Sequence, residues 1–338
     1  MSVRVRLALL AVVVLMVLVG AGGYVLRVQQ RQAAAVESAT AAPAADLASV
    51  VAGRHLVFRN TVLGGGYGRL AVVPLAAPGG PRALTGVSCE RVYAARRSAV
   101  CLSARRGLSN TYKAEVLGPD WTPTGNLPLT GLPSRVRMSR DAALSVTTTF
   151  VYGDSYAAPG QFSTRTVVTR VAENDSIDLE KFQLFVDGKR ITAADRNFWG
   201  VTFADHDRFY ATAATGGRTW LVQGSIAGRR MDSLRGDVEC PSLSPDGTRI
   251  AFKKHGDLPA GQWRLAVHDL RTGAETVLAE TRSVDDQAEW LDDGTVLYGL
   301  PRTSDAGAAT SDIWAVPADG SGAPRVLVPD AWSPAVVR

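Results

Sequence analysis

The chain has little with which to do metal or redox chemistry. Its 338 residues include three cysteines and four histidines. Cys89, Cys101 and Cys240 form no C-x-x-C, and no histidine stands at ligand spacing from any of them. That excludes the common structural zinc patterns. H-E-x-x-H, G-x-S-x-G and Walker sequences are absent, as is the clustered acidic spacing of an EF-hand. No cofactor is implied. No run of Lys and Arg carries interleaved aromatics, and the formal net charge is only +5, so nucleic acid is not an expected partner. A sustained 3.6-residue apolar period is also missing after residue 52, which argues against a helical domain.

What is present begins with one long apolar run. Residues 7–26, LALLAVVVLMVLVGAGGYVL, hold no charge, and twenty such residues match the hydrocarbon thickness of a bilayer. Arg4 and Arg6 precede the run and Arg27 and Arg31 follow it. The expected organisation is a cytoplasmic N-terminus at 1–6, a transmembrane anchor at 7–26, a linker at 27–52 and an extracytoplasmic domain at 53–338. The competing reading is a cleavable signal peptide, whose apolar core is usually shorter. Either exports the remainder. The linker QQRQAAAVESATAAPAADLASVVA is rich in Ala, Ser, Thr and Pro, with little to bury.

From residue 53 the chain alternates short β-branched or aromatic runs with Gly, Pro, Asp and Asn. One unit repeats. Its clearest copy is Pro241-Ser242-Leu243-Ser244-Pro245-Asp246-Gly247, then Ile250-Ala251-Phe252, then Leu265 to Leu270, Thr272-Gly273 and Thr276-Val277-Leu278. A second runs through Trp290-Leu291-Asp292-Asp293-Gly294, Val296-Leu297-Tyr298, Ile313 to Val316, Asp319-Gly320 and Val326-Leu327. Ser-Pro-Asp-Gly is suited to a tight turn: Pro presets the backbone, Ser and Asp bond back to it, and Gly tolerates the exit. The unit therefore reads as a four-stranded antiparallel meander, one propeller blade. Weaker copies place equivalent anchors at Tyr93, Met138 and Phe203, and the tail adds Trp332-Ser333-Pro334. The six anchors are 45, 65, 40, 47 and 42 residues apart, against roughly 40–50 per blade in known repeats. The long gap predicts an insertion, placed at 173–187.

The expected fold is all-β, a six-bladed β-propeller of four-stranded antiparallel blades. His55 to Phe58 reads as a second strand lacking its first, and Trp332, Ser333 and Pro334 as a first strand lacking its successors. Together they would close the ring and leave no open edge. The alternative architecture is a β-sandwich or two smaller β domains.

The Ser244-Pro245-Asp246-Gly247 unit, with Ile250-Ala251-Phe252 and the Thr272-Gly273 turn, resembles the TolB-like propeller repeat of exported bacterial proteins. The likeness is good over 239–338 and thin over 53–237. It implies six blades, an extracytoplasmic compartment and a tendency to bind protein. A membrane anchor stands where the family's namesake has an additional N-terminal domain, so that protein's role is not carried over.

Cys89 and Cys101 are expected to form a disulfide, facing each other across a hairpin centred on Ala95 with Ala94 to Arg97 as its turn. Cys240 reads as a small buried hydrophobe. Gly64 to Gly68 reads as a hairpin connection rather than a phosphate loop. The Asp-Gly pairs read as turns rather than calcium loops. Trp199, Trp220, Trp263, Trp290, Trp314 and Trp332 read as blade packing. The functional expectation is a non-catalytic scaffold that binds an envelope protein or cell-wall component. The alternative is a hydrolase or lyase acting on a glycan or peptide in the central funnel. That alternative requires acids, Arg or His to converge at the funnel mouth, and a lining of Ser, Thr and apolar groups would refute it.

Overall fold

The computed structural model describes residues 3–37, 44–105, 110–151, 163–304 and 308–338. Among the described residues six sheets follow one another around a ring, antiparallel except for one parallel pair at the outer edge of the fourth. In chain order the blades comprise 55–88, 91–127, 132–178, 197–236, 239–277 and 289–328. The inner strands of blades two to six are Arg91–Ala95, Leu132–Met138, Asn197–Phe203, Glu239–Leu243 and Glu289–Asp292. The inner strand of blade one is the C-terminal Ala331–Val337, which pairs antiparallel with His55–Asn60. His55 lies opposite Val337 and Asn60 opposite Ala331. All six sequence anchors fall in inner strands. The six-bladed propeller of four-stranded sheets is as expected, with the first blade assembled from both ends of the domain.

The core is divided among the joints of this ring. Six apolar clusters each join two neighbouring blades. Because a blade presents both faces to neighbours, its middle strands are buried on both sides. Leu56, Val57 and Phe58 are consecutive and fully buried, as are Ile250, Ala251 and Phe252. That is why the strand signals were continuous apolar runs rather than alternations.

The turn residues act as their chemistry dictates. The Ser244 hydroxyl accepts from Arg249 N at 2.9 Å, Asp246 Oδ1 accepts from Thr248 N at 3.0 Å, and Gly247 has φ of +75°. In the following turn, Asp292 Oδ1 accepts from Gly294 N at 2.9 Å. Asp246 N in turn donates to Asp293 at 2.9 Å, linking blades five and six.

Three expectations need correction in detail. The insertion overlaps the expected 173–187 but begins later, because Asp175–Asp178 is the regular outer strand of blade three. Asp178 then caps a single 3-10 turn, Leu179–Lys181, by accepting from Glu180 N. The inserted hairpin Gln183–Val186 and Lys189–Ile191 adds to the outer edge of blade four, making it six-stranded. Leu179, Phe182 and Leu184 bury themselves between blades three and four.

The disulfide Cys89–Cys101 is present, with Cα atoms 5.5 Å apart, but the two residues do not face each other. The hairpin turns at Arg96-Arg97, so Cys101 lies opposite Val92. Cys89 sits in the crossover from blade one, where its N–H donates to Gly68 O at 3.0 Å. The bridge therefore ties an inter-blade connection to the second strand of blade two.

The packed body also begins before residue 53. Helix α2, Leu47–Val51, is capped by Asp46 and buries Val50 against blade one.

Helix α1, Val3–Glu37, contains the uncharged stretch 7–26. Its described apolar side chains, including Leu10, Leu15, Val17 and Val19, are exposed. Side chains at 7, 8 and 11 lie outside the described set. Among the described residues no helix is long and apolar enough to cross a membrane.

Candidate functional site

The inner strands bring together side chains far apart in sequence. Arg91, Arg135 and Arg137 come from blades two and three. Glu239, Lys253, Asp285, Asp286 and Glu289 come from blades five and six and the connection between them. Arg and acids thus converge at the channel, as a funnel enzyme would require. The refuting lining of Ser, Thr and apolar groups is not what the channel has.

Most of these charges, however, are paired with one another, although the Arg135 and Arg137 Nε atoms are buried without a hydrogen-bond partner. Arg137 pairs with Glu289, both almost fully buried, and also donates to Ala288 O at 2.6 Å. Its guanidinium lies 4.8 Å from the Tyr93 ring centroid. Arg91 bonds Asp286 at 3.0 Å and stacks on Trp332 at 4.7 Å. Lys253 bonds Asp285 at 2.7 Å, approaches Glu239 at 3.7 Å, and sits 4.1 Å from the Trp263 ring. Arg135 reaches Asp285 at 3.5 Å. Gln287 donates to Pro241 O at 3.0 Å and Val201 O at 3.3 Å. The spaces left among these groups are about 20 Å³ and about 40 Å³, no more than a water or so.

Burial sets the electrostatics. It lowers the Arg91 guanidinium to about 10, with Asp286 opposing and Arg135 adding to the fall. For Lys253, burial pulls the pKa down, but Cys240, Asp285 and Glu239 outweigh it and the net shift is upward. Asp285 is held below the usual carboxylate range: burial opposes this, and Lys253, Arg135 and Arg91 prevail. Neither Lys253 nor Asp285 is shifted toward a proton-transfer role at neutral pH.

The expected site residues are dispersed around this channel. Ser333 closes the ring chemically: its hydroxyl accepts from Val92 N at 3.1 Å and donates to Val92 O at 3.0 Å. Trp332 is the aromatic floor under Arg91, and Pro334 lines the smaller channel space with Ser333. Ser244, Asp246, Gly247, Asp292, Asp293 and Gly294 form turns at one end of the blades. Pro245, Trp290 and Arg338 line the larger channel space near that end. Trp290 and Trp220 are buried, Trp290 donating to Ser242 O at 2.8 Å. Cys240 is free and buried, as read, with φ of +50°. Among the described residues no group of three His, Cys, Asp or Glu is placed to hold a metal.

The charged channel itself was missed from sequence. A signal existed: Arg135 and Arg137 alternate with Val136 and Met138, and Arg91 and Glu289 precede anchors. A charge on a strand with no solvent face must find a partner in the channel.

A second concavity lies outside the channel. It has a volume of about 790 Å³ and is walled by α2, the segment before His55, the first turn of blade two and the loop at 118–121.

Compared with solved structures, the fold is that of TolB. The chain overlays TolB from Acinetobacter baumannii with a TM-score of 0.54 at 16% identity, covering 86% of this chain and 68% of that one. A putative TolB from Agrobacterium tumefaciens gives 0.51 at 10% identity, covering 83% and 90%. No protein-family model matches the chain, and no curated protein matches it in sequence. The propeller is TolB-like in fold.

Proposed function

We propose that this chain is a membrane-tethered, extracytoplasmic propeller that binds another envelope protein or a wall component and catalyses no reaction. The observation that carries the non-catalytic part is the channel. Its described cations and carboxylates are largely bonded to each other, and the two described spaces among them, about 20 Å³ and about 40 Å³, are too small for a substrate. Propeller enzymes need a funnel that admits a ligand, and ligand pockets run to roughly 300–1,000 Å³.

The tether rests on residues 7–26, uncharged over twenty positions within a 35-residue helix whose described apolar side chains are exposed. A lipid phase is the natural solvent for such a helix. The Cys89–Cys101 disulfide supports an oxidising compartment. Protein binding is supported by the likeness in fold to TolB.

The hydrolase or lyase reading keeps one observation in its favour, the convergence of Arg and acids on the channel.

The test is crosslinking of tagged full-length protein in its own cells, followed by mass spectrometry, with the 1–52 segment as control. A specific envelope protein captured through the propeller supports the scaffold reading. Capture equal to the control, together with turnover of a wall glycan or peptide, overturns it.

A further inference from the structure

The cavity of about 790 Å³ differs from the channel in one respect that matters: three of its four arginines have no acidic or hydrogen-bonded partner among the described residues. Arg54, Arg96, Arg97 and Arg338 line it, and no Asp or Glu side chain does. Arg338 is engaged through backbone carbonyls at Trp290 and Leu291. Among the described residues no hydrogen bond or ion pair holds the side chains of Arg54, Arg96 or Arg97, and all three are exposed. The nearest acid in sequence, Asp120, is turned into its own loop, accepting from Thr122 N at 3.2 Å and Thr122 Oγ1 at 2.8 Å.

The walls are held in place at a backbone cost. Arg96 has φ of +53° and Trp121 φ of +64°. Both are in the left-handed region, where a bulky side chain is strained by about 1 kcal/mol or more. Such outliers cluster at ligand sites. Here both residues line the same cavity. The strand leaving the Arg96-Arg97 turn is anchored by the Cys101 disulfide.

We propose that this cavity binds a phosphate-bearing anion. Three exposed arginines lining one cavity, with no Asp or Glu among the lining side chains, match a group with three acceptor oxygens, which Arg engages in bidentate fashion. The volume exceeds that of a bare phosphate. The remaining wall is mainly apolar, with Trp121, Pro119, Val51 and Ala48 beside His55 and Ser98, so the ligand carries an apolar or ring-bearing body beside its phosphate. Two sources share this chemistry: a phospholipid headgroup, and a soluble phosphate ester. The proposal does not depend on the tether.

The experiment uses the full chain in neutral detergent, with binding read by calorimetry. The probes are inorganic pyrophosphate, glycerol phosphate and a short-chain phosphatidylglycerol, with an oligoglutamate peptide as the carboxylate comparison. The expected result is saturable binding of at least one phosphate probe that weakens with added salt. It falls at least tenfold in the Arg54→Gln, Arg96→Gln, Arg97→Gln variant and is unchanged in Arg271→Gln, an exposed arginine elsewhere. Binding of phosphatidylglycerol alone assigns the headgroup, and binding of glycerol phosphate assigns a soluble ester. If the triple variant melts several degrees lower, the single Arg97→Gln variant is used, with at least a threefold loss expected. No saturable binding of any phosphate probe overturns the proposal. So does equal binding by the variant, or oligoglutamate binding as tightly as the phosphates.

Discussion

The channel and the outer cavity are both arginine-rich, yet they are opposite kinds of place. In the channel, Arg137 is buried and Arg91 half-buried, each against a buried acid, Glu289 and Asp286. In the cavity, Arg54, Arg96 and Arg97 are exposed and without acidic partners. A buried, paired arginine fixes the register of blades, since losing its partner strands a charge in low dielectric. An exposed, unpaired arginine contributes little to folding and is free to meet a ligand. Abundance of charged groups at a propeller axis is thus a poor guide to function, and their pairing is the better one.

The largest effect that would break this comparison is at the axis. Removing one partner of the buried pair, as in Glu289→Gln or Arg137→Met, should destabilise the protein by about 3–5 kcal/mol in denaturant unfolding. Replacing both should cost clearly less than the two changes summed.

Next is the disulfide behind the cavity wall. Cys89→Ser with Cys101→Ser closes off a link of sequence separation 12 and should lose about 3 kcal/mol, measured as a fall in unfolding midpoint under non-reducing conditions.

Glu180 is a third case, a half-buried carboxyl with no cation bonded to it among the described residues. Burial, reinforced by Asp178, pushes it from an ordinary 4.5 to about 8, with Arg196 and Arg165 opposing. One carboxyl oxygen has no hydrogen-bond partner in the described structure. The folded state then holds this proton more tightly than the unfolded state. Its contribution to stability is fully present below about pH 4.5 and is lost as pH rises toward 8, by at most about 1.4 kcal/mol per pH unit. Glu180→Gln should flatten that slope in melts taken from pH 5 to 8.

A smaller gain is expected at Ala142, which has φ of +64° in the blade-three turn. There Ser139 and Asp141 make the same bonds as Ser244 and Asp246. Ala142→Gly should stabilise by about 0.5–1 kcal/mol. Smallest of all, Arg54→Gln, Arg96→Gln and Arg97→Gln should each shift unfolding by no more than about 0.5 kcal/mol, in contrast to Arg137.

That blade-three turn also shows how much the sequence carried. Ser139-Arg140-Asp141-Ala142 lacks both the Pro and the Gly of Ser244-Pro245-Asp246-Gly247, yet Ser and Asp suffice to build the turn. The faint copies were therefore real blades, and Trp332-Ser333-Pro334 closed the ring as its pattern implied. Cys89 and Cys101 were legible as a pair because spacing constrains a hairpin. Their register was not, because Cys89 precedes the strand and belongs to the crossover. The insertion was placed to begin too early because Asp175–Asp178 is short and mostly polar, with Ile177 its one apolar residue. The channel charges were illegible as a site because Arg137 and Glu289 are 152 residues apart and no local motif joins them. The basic cavity likewise needs Arg54, Arg96 and Trp121 from three segments that the packing of blade one against blade two brings together.

The most direct test of the claim that the axis is a structural staple is a double-mutant cycle at Arg137 and Glu289, read by urea unfolding. The account predicts a coupling energy above about 2 kcal/mol. Single variants as stable as the parent, with coupling near zero, would contradict it and leave those charges free for chemistry in the funnel.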